Sequence, residues 1–190
     1  MQNFKKYLQA FPHFTLSAWE SALPFLKTIN LLKGDFLLKE GKICRQVGFI
    51  EKGLFRTFYL RDGEEITTCF CKENTITCSY KSLITQSPSE LSIQAIEDCE
   101  LIAFQYEDLE KLYMKDLFWQ QVGRLAAENE FMIMEHYTRF INDLPAQDRY
   151  QQILKNDPSL LNRVPLVYLA SYLQIKPETL SRIRKKLATS

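Results

Sequence analysis

The stretch from Leu31 to Tyr80, "LLKGDFLLKEGKICRQVGFIEKGLFRTFYLRDGEEITTCFCKENTITCSY", limits the possible folds more than any other. Gly34-Asp35, Glu40-Gly41, Lys52-Gly53 and Asp62-Gly63 cut it into short runs rich in Phe, Ile, Val, Tyr and Thr. Short strands between turns spaced about ten residues apart predict an all-β sandwich or barrel. "RDGEE" suits a tight hairpin, because Gly63 takes a positive φ at no steric cost. Strands resume after Pro88 in "ELSIQAIEDCELIAFQY", where Leu91, Ile93 and Ala95 alternate with polar residues.

Helical periodicity flanks this region. Leu16, Trp19, Leu23 and Leu26 recur at three- and four-residue steps before Leu31, and Pro12 and Pro24 bound the segments. Helix returns at Glu107, and Leu109 and Leu112 start it. A run from Asp116 to Asn142 has no proline and a single glycine. At 1.5 Å per residue it spans roughly 40 Å. Its apolar stripe includes Trp119, Val122, Leu125, Ala126, Met132, Ile133 and Phe140, and turns polar at Asn129 and His136. Such a helix either packs on its own β domain or pairs across a dyad. The polar breaks favour pairing, with Trp119, Val122, Leu125, Asn129, Ile133 and His136 as the dimer face. Pro145 suits the first turn of a following helix, with Asp143 as its cap and a hinge at Asn142 to Pro145.

With 190 residues, 46% of them hydrophobic and 25% charged, the chain is long and apolar enough for one large globular domain or two small ones. No apolar run nears the ~20 residues that cross a bilayer, and the N-terminus lacks signal-peptide layout. Residence in the cytoplasm, with no membrane partner, is expected. The cysteines Cys44, Cys69, Cys71, Cys78 and Cys99 are odd in number, which argues against a disulfide framework. The spacing Cys69-x-Cys71 plus Cys78 fits no common zinc pattern, so these read as small buried hydrophobes rather than metal ligands.

Charge is unevenly spread. Leu144 to Ser190 carries eight Lys/Arg against three Asp/Glu, a net +5, and the rest carries sixteen against twenty, a net −4. A basic end on an acidic body favours a polyanion partner for that end. Within it, "PLVYLASYL" puts Leu166, Leu169, Ala170 and Leu173 on one face, "QIK" turns, and a second helix starts at Pro177 with Leu180, Ile183 and Leu187 inward. Two short helices joined by a tight turn describe a helix-turn-helix, with an ordinary helical hairpin as the bland alternative. The outer face carries Lys176, Glu178, Thr179, Ser181, Arg182, Lys185 and Lys186. Glu178 suits cytosine N4, Arg182 suits guanine, and the basic end suits phosphates.

On these residues the chain resembles the Crp/Fnr family of transcription regulators. "KGDFLLKEG" and "VGFIEKGLFRTFYL" are similar to the family's first β-roll strands, "DCELIAFQYEDLEKL" to its last strand and next helix, and "PETLSRIRK" to its recognition helix. The resemblance implies an α+β chain: a double-stranded β-helix (jelly-roll-like) sensor over residues 1–115, a dimerisation helix and hinge over 116–143, and a winged helix-turn-helix over 144–190. It implies a homodimer on double-stranded DNA at a pseudo-palindromic operator, with RNA polymerase as the partner of an activator. Gln174 replaces a common turn glycine, Lys176 replaces a capping Ser or Thr, and any wing must precede the recognition helix.

In nucleotide-binding members the glutamate of a Gly-Glu pair holds the ribose, and the arginine of an Arg-Ser or Arg-Thr neutralises the cyclic phosphate. Here Cys78-Ser79 and Ser89-Glu90 stand in those places, and Lys81 is the cation of the segment. This argues against cyclic AMP as the effector. The expected pocket lining is Cys69, Cys71, Cys78, Ser79, Tyr80, Ser89, Glu90, Leu91 and Met132, for an unidentified small and largely apolar effector or none. With His13 and His136 as its sole histidines, the chain suits neither haem nor a cupin-type metal, and no cofactor or metal is expected. It also lacks a nucleophile elbow, so an enzyme is not expected. The alternative function is a β-roll interaction module that has lost DNA binding.

Overall fold

The computed structural model describes residues 1–188. Among them, eight strands form: β1 (Lys27–Leu31), β2 (Phe36–Leu38), β3 (Gln46–Lys52), β4 (Phe55–Arg61), β5 (Glu64–Cys71), β6 (Ile76–Thr77), β7 (Ser92–Ala95) and β8 (Cys99–Gln105). They build two four-stranded sheets, ordered β1-β8-β3-β6 and β2-β7-β4-β5. The chain changes sheet at each connection except the β4–β5 hairpin, which is the winding of a double-stranded β-helix. The turns follow the glycines. Asp62 and Gly63 have φ of +54° and +83°, the pair of positive values that a two-residue type I′ turn needs. At Gly53, with φ +98°, a Cβ would come within 2.5 Å of Cys99 Sγ and 2.8 Å of Asp98 O, so only glycine fits.

The N-terminal helices α1 (Gln2–Gln9) and α2 (Leu16–Ala22) precede β1, which starts at Lys27, earlier than the turn pattern indicated. The face of α2 that enters the core is Ala18, Trp19 and Ala22, while Leu16 and Leu23 are exposed. The leucine spacing therefore pointed to the wrong side, because the small alanines let α2 lie close to its neighbours. After the short helix α3 (Tyr80–Thr85) and the last strands come α4 (Tyr106–Lys115) and the long α5 (Leu117–Asp143).

Two compact units emerge: residues 1–57 with 70–131, and residues 58–69 with the chain from Met132 onward. In the first, Phe4, Leu8, Trp19, Phe49, Ile102, Phe104, Leu112 and Phe118 form one core with Trp119 and Val122. Trp119 is 1% exposed, and its Nε1 donates to Ala18 O at 3.2 Å. Trp119 and Val122 were expected on a dimer face; they are instead buried in the core of their own chain, where Phe104 of the roll and Phe118 pack against the Trp119 ring. A second cluster, including Leu38, Cys44, Ile50, Phe55, Leu83, Ile93 and Leu101, fills the roll.

The second unit holds the end of α5, then α6 (Ala146–Asn156), α7 (Leu160–Arg163), α8 (Leu166–Tyr172) and α9 (Pro177–Ala188). Phe58, Ile66, Phe140, Tyr150, Ile153, Val164, Leu169, Ala170, Leu173 and Leu180 are among its buried apolar residues. Asp143 is not the cap of α6: it is the last residue of α5, and Pro145 takes the N-cap position without a side-chain bond. Residues 144–188 contain no strand among the described residues, so the expected wing is not found there. The strand segment of this unit is the β4–β5 tip, residues 58–69.

Candidate nucleic-acid interface and sensor cassette

The turn between α8 and α9 is closed by its own backbone. Ile175 N donates to Ala170 O at 3.0 Å and Gln174 N to Ser171 O at 2.9 Å, the bond pair that ends a helix through a left-handed residue. That residue is Gln174, with φ +50°. A side chain in this conformation costs about 1 kcal/mol or more relative to glycine. Ala170 is 1% exposed where the two helices meet, and Leu169, Leu173 and Leu180 are buried with it. Ile183 and Leu187 are half-buried.

The outer face of α9 is open. Lys176, Glu178, Ser181, Arg182, Lys185 and Lys186 are exposed and Thr179 is half-buried. Lys186 Nζ donates to Gln147 Oε1 at 3.2 Å. Arg184 is exposed as well and adds a charge that the periodicity had left out of the face. The first helix, α8, is held by the hairpin tip. Thr67 N donates to Ser171 Oγ at 2.9 Å, and Ser171 Oγ donates to Glu65 O at 2.6 Å. Tyr137 OH lies 3.2 Å from Thr67 O, and its ring sits 5.2 Å from that of Tyr172. Burial raises the Tyr137 hydroxyl above its ordinary pKa, so it stays a donor at neutral pH. Sequence reasoning missed Ser171, Thr67 and Tyr137, since no local pattern announces bonds between residues this far apart in the chain.

On α5, Leu125 is half-buried, and Asn129, Ile133 and His136 are exposed. Phe131, Met132 and Met134, next to them in sequence, are exposed too, Phe131 at 70%. The expected pocket residues are dispersed. Cys69 falls in the second unit and Cys71 in the first, both half-buried, and Met132 is exposed. Tyr80 is exposed and Leu91 half-buried.

The cassette residues are occupied with one another. Ser79 and Ser89 are buried, with their hydroxyls 2.8 Å apart, and Ser89 Oγ accepts from Leu91 N at 3.0 Å. Lys81 and Glu90 form an exposed ion pair at 2.6 Å. The local cation is therefore already matched by the nearest carboxylate. Burial pushes the Cys78 thiol well above its ordinary range, and Cys44, Glu130 and Cys71 add to the shift. Glu130 is itself half-buried, and desolvation raises its carboxyl. Its position gave no signal, because a glutamate on a long helix reads as solvated charge. Of the expected pocket residues, Cys78 lines one cavity, together with Leu37, Leu38, Ile43, Cys44, Arg45, Gln46 and Ile93. Among the described residues no cluster of three or more His, Cys, Asp or Glu has the arrangement to hold a metal ion. No described helix is long and apolar enough to cross a membrane.

Residues 28–116 match the family model of the cyclic nucleotide-binding domain. FixK2 from Bradyrhizobium japonicum shares the fold with a TM-score of 0.76 at 19% identity, over 86% of this chain and 85% of that one. A crp/fnr-family regulator from Eubacterium rectale gives 0.76 at 18% identity, over 97% and 88%. The chain has the Crp/Fnr fold. CLP from Xanthomonas campestris, described as a c-di-GMP responsive global regulator, matches the same fold with a TM-score of 0.71 at 17% identity, over 92% of each chain. No curated protein matches at the sequence level. Within the Crp/Fnr fold, residues 28–116 cover the roll and α4, and the similarity of solved structures extends through the C-terminal helices.

Proposed function

We propose that this chain is a homodimeric, DNA-binding transcription regulator whose roll does not take a cyclic nucleotide. The observation that carries the reading is the open basic face of α9, set on a helix-turn-helix whose turn is closed by the Ala170–Ile175 and Ser171–Gln174 bonds. Likeness to solved regulators supports a regulatory rather than an enzymatic role. The domain division is residues 1–115 for sensing, 116–143 for pairing and hinging, and 144–190 for DNA. Two recognition helices related by a dyad need half-sites about one helical turn apart, hence a pseudo-palindromic operator. RNA polymerase is the further partner of an activator. The cytoplasm is the site of action.

Genomic footprinting with the purified protein is the direct test. Arg182→Ala should cost ~1–3 kcal/mol and relax specificity at one base pair. Lys185→Ala should weaken all sequences alike and lower the salt slope by about one. No footprint at any sequence would favour an interaction module instead. Pairing rests on the exposed Phe131–Met134 stretch with Leu125, Asn129 and His136. Ile133→Asp should give monomers in sedimentation at micromolar concentration and abolish operator binding, and a monomeric parent protein would sink the pairing. An unpaired phosphate in a pocket costs several kcal/mol. Calorimetry should therefore find no cyclic AMP binding tighter than roughly millimolar, about 4 kcal/mol.

A further inference from the structure

The turn before the recognition helix is strained. Gln174 has φ +50°, where glycine is comfortable and a longer side chain is not. Burial does not offset that strain, because Gln174 is exposed. The bonds that close the turn, Gln174 N to Ser171 O and Ile175 N to Ala170 O, are backbone bonds that glycine would make equally well. What glycine would lack is the reach to Tyr137. The Gln174 side chain bonds to the Tyr137 hydroxyl, where it works against the effect of burial on that group.

Tyr137 has a fixed place in the same unit. From Phe131 to Arg139 every other residue of α5 is exposed, and Tyr137 alone is half-buried. Its ring lies 5.2 Å from that of Tyr172 and 6.4 Å from that of Phe140. Its hydroxyl donates to Thr67 O at 3.2 Å, with Tyr172 O 3.5 Å away. A phenol has one proton, so once it donates to Thr67 its oxygen is left to accept, and a side-chain amide supplies the donor. Gln174 thus joins the turn to the end of α5. Ser171, about one helical turn earlier, joins α8 to the hairpin through Thr67 N and Glu65 O. One tie leaves a helix pair free to rock about it; two offset ties do not.

The recognition helix α9 begins at Pro177, just past this turn, and its 12 residues span roughly 18 Å at 1.5 Å each. Rocking by a few degrees at the turn therefore moves its far end by about 1 Å. Paired hydrogen bonds to a base edge tolerate little such movement, whereas a lysine on its flexible stem follows a phosphate. We infer that Gln174 is a positioning residue for the recognition helix: through the Tyr137 hydroxyl it fixes how Glu178 and Arg182 meet the bases, and so sets specificity without touching DNA. The inference rests on the regulator reading above.

The test compares the full parent chain with Gln174→Gly, Gln174→Asn, Tyr137→Phe and the double variant Gln174→Gly/Tyr137→Phe. Kd is measured for the footprinted operator and for a random duplex at one salt concentration. Each single variant should lower the preference for operator over random DNA by about threefold or more, with the random Kd changed by less than about twofold. Asparagine tolerates the left-handed backbone but is a methylene short, so Gln174→Asn should behave as Gln174→Gly does. The double variant should be no worse than Tyr137→Phe alone, because both changes cut one link. An unchanged preference in Gln174→Gly overturns the proposal. So does full preference in Tyr137→Phe, which would make Gln174 a direct contact to DNA. Additive losses in the double variant, or equal losses on operator and random DNA, overturn it as well. Protein that footprints no sequence removes the regulator reading and this role with it; a footprint with unchanged preference removes the role alone.

Discussion

The two compact units are held together by different means. In the first, aromatic rings from distant parts of the chain pack at tilted and edge-on angles, with centroids from 5.0 Å for Phe4–Phe49 to 6.1 Å for Phe4–Trp19. In the second, helices of four to twelve residues follow α5, each shorter than or at the limit of what is stable alone in water. These depend on a small set of buried side chains and on polar bonds such as Thr67–Ser171 and Arg149 Nη1 to Ile141 O at 3.1 Å. The first arrangement resists local change, because rings so interlocked move together or not at all. The second is tied at individual points, each worth little, and such regions open at low cost.

The largest effect that sharpens this contrast lies in the aromatic core. Trp119→Ala removes a ring in contact with Phe104 and Phe118 and the bond to Ala18 O, and should cost about 3–5 kcal/mol in denaturant unfolding. A loss below about 1 kcal/mol would show that the core relaxes freely and erase the distinction. Next comes the polar tie. Ser171→Ala leaves Thr67 N and Glu65 O without their partner and should cost ~1–3 kcal/mol. The readout is amide exchange at Thr67, which should speed up while amides of β8 keep their protection; equal change in both would mean that the units open as one. The smallest effect is in the turn. Gln174→Gly relieves a left-handed side chain and should stabilise by up to ~1 kcal/mol. A lower melting temperature would mean that the Gln174 side chain contributes more than its strain costs.

Much of this organisation was legible locally. Asp62-Gly63 announced a hairpin because a type I′ turn needs positive φ at both positions, and few residue pairs supply it. Pro177 and the Leu169, Leu173 and Leu180 spacing announced two helices and their inward faces. Other expectations failed where burial depends on what lies opposite. Trp119 and Val122 have the spacing of a pairing face, yet the same spacing also serves a helix covered by its own chain. Leu16 and Leu23 have the periodicity of a core face, yet the smaller Ala18 and Ala22 take the inside.

The sequence by itself determined the punctuation of the chain: strands between glycine turns, an unbroken helix after them, and a basic helix-turn-helix. These follow from φ preferences and from the period of apolar residues, which are properties of neighbours along the backbone. Only the tertiary structure decided which apolar face meets which. It buried Trp119 beside Ala18, joined Thr67 to Ser171, paired Lys81 with Glu90, and brought the hydroxyls of Ser79 and Ser89 together. The physical reason is that burial and bonding between distant residues depend on the summed packing of many side chains, and no single stretch of backbone encodes that sum.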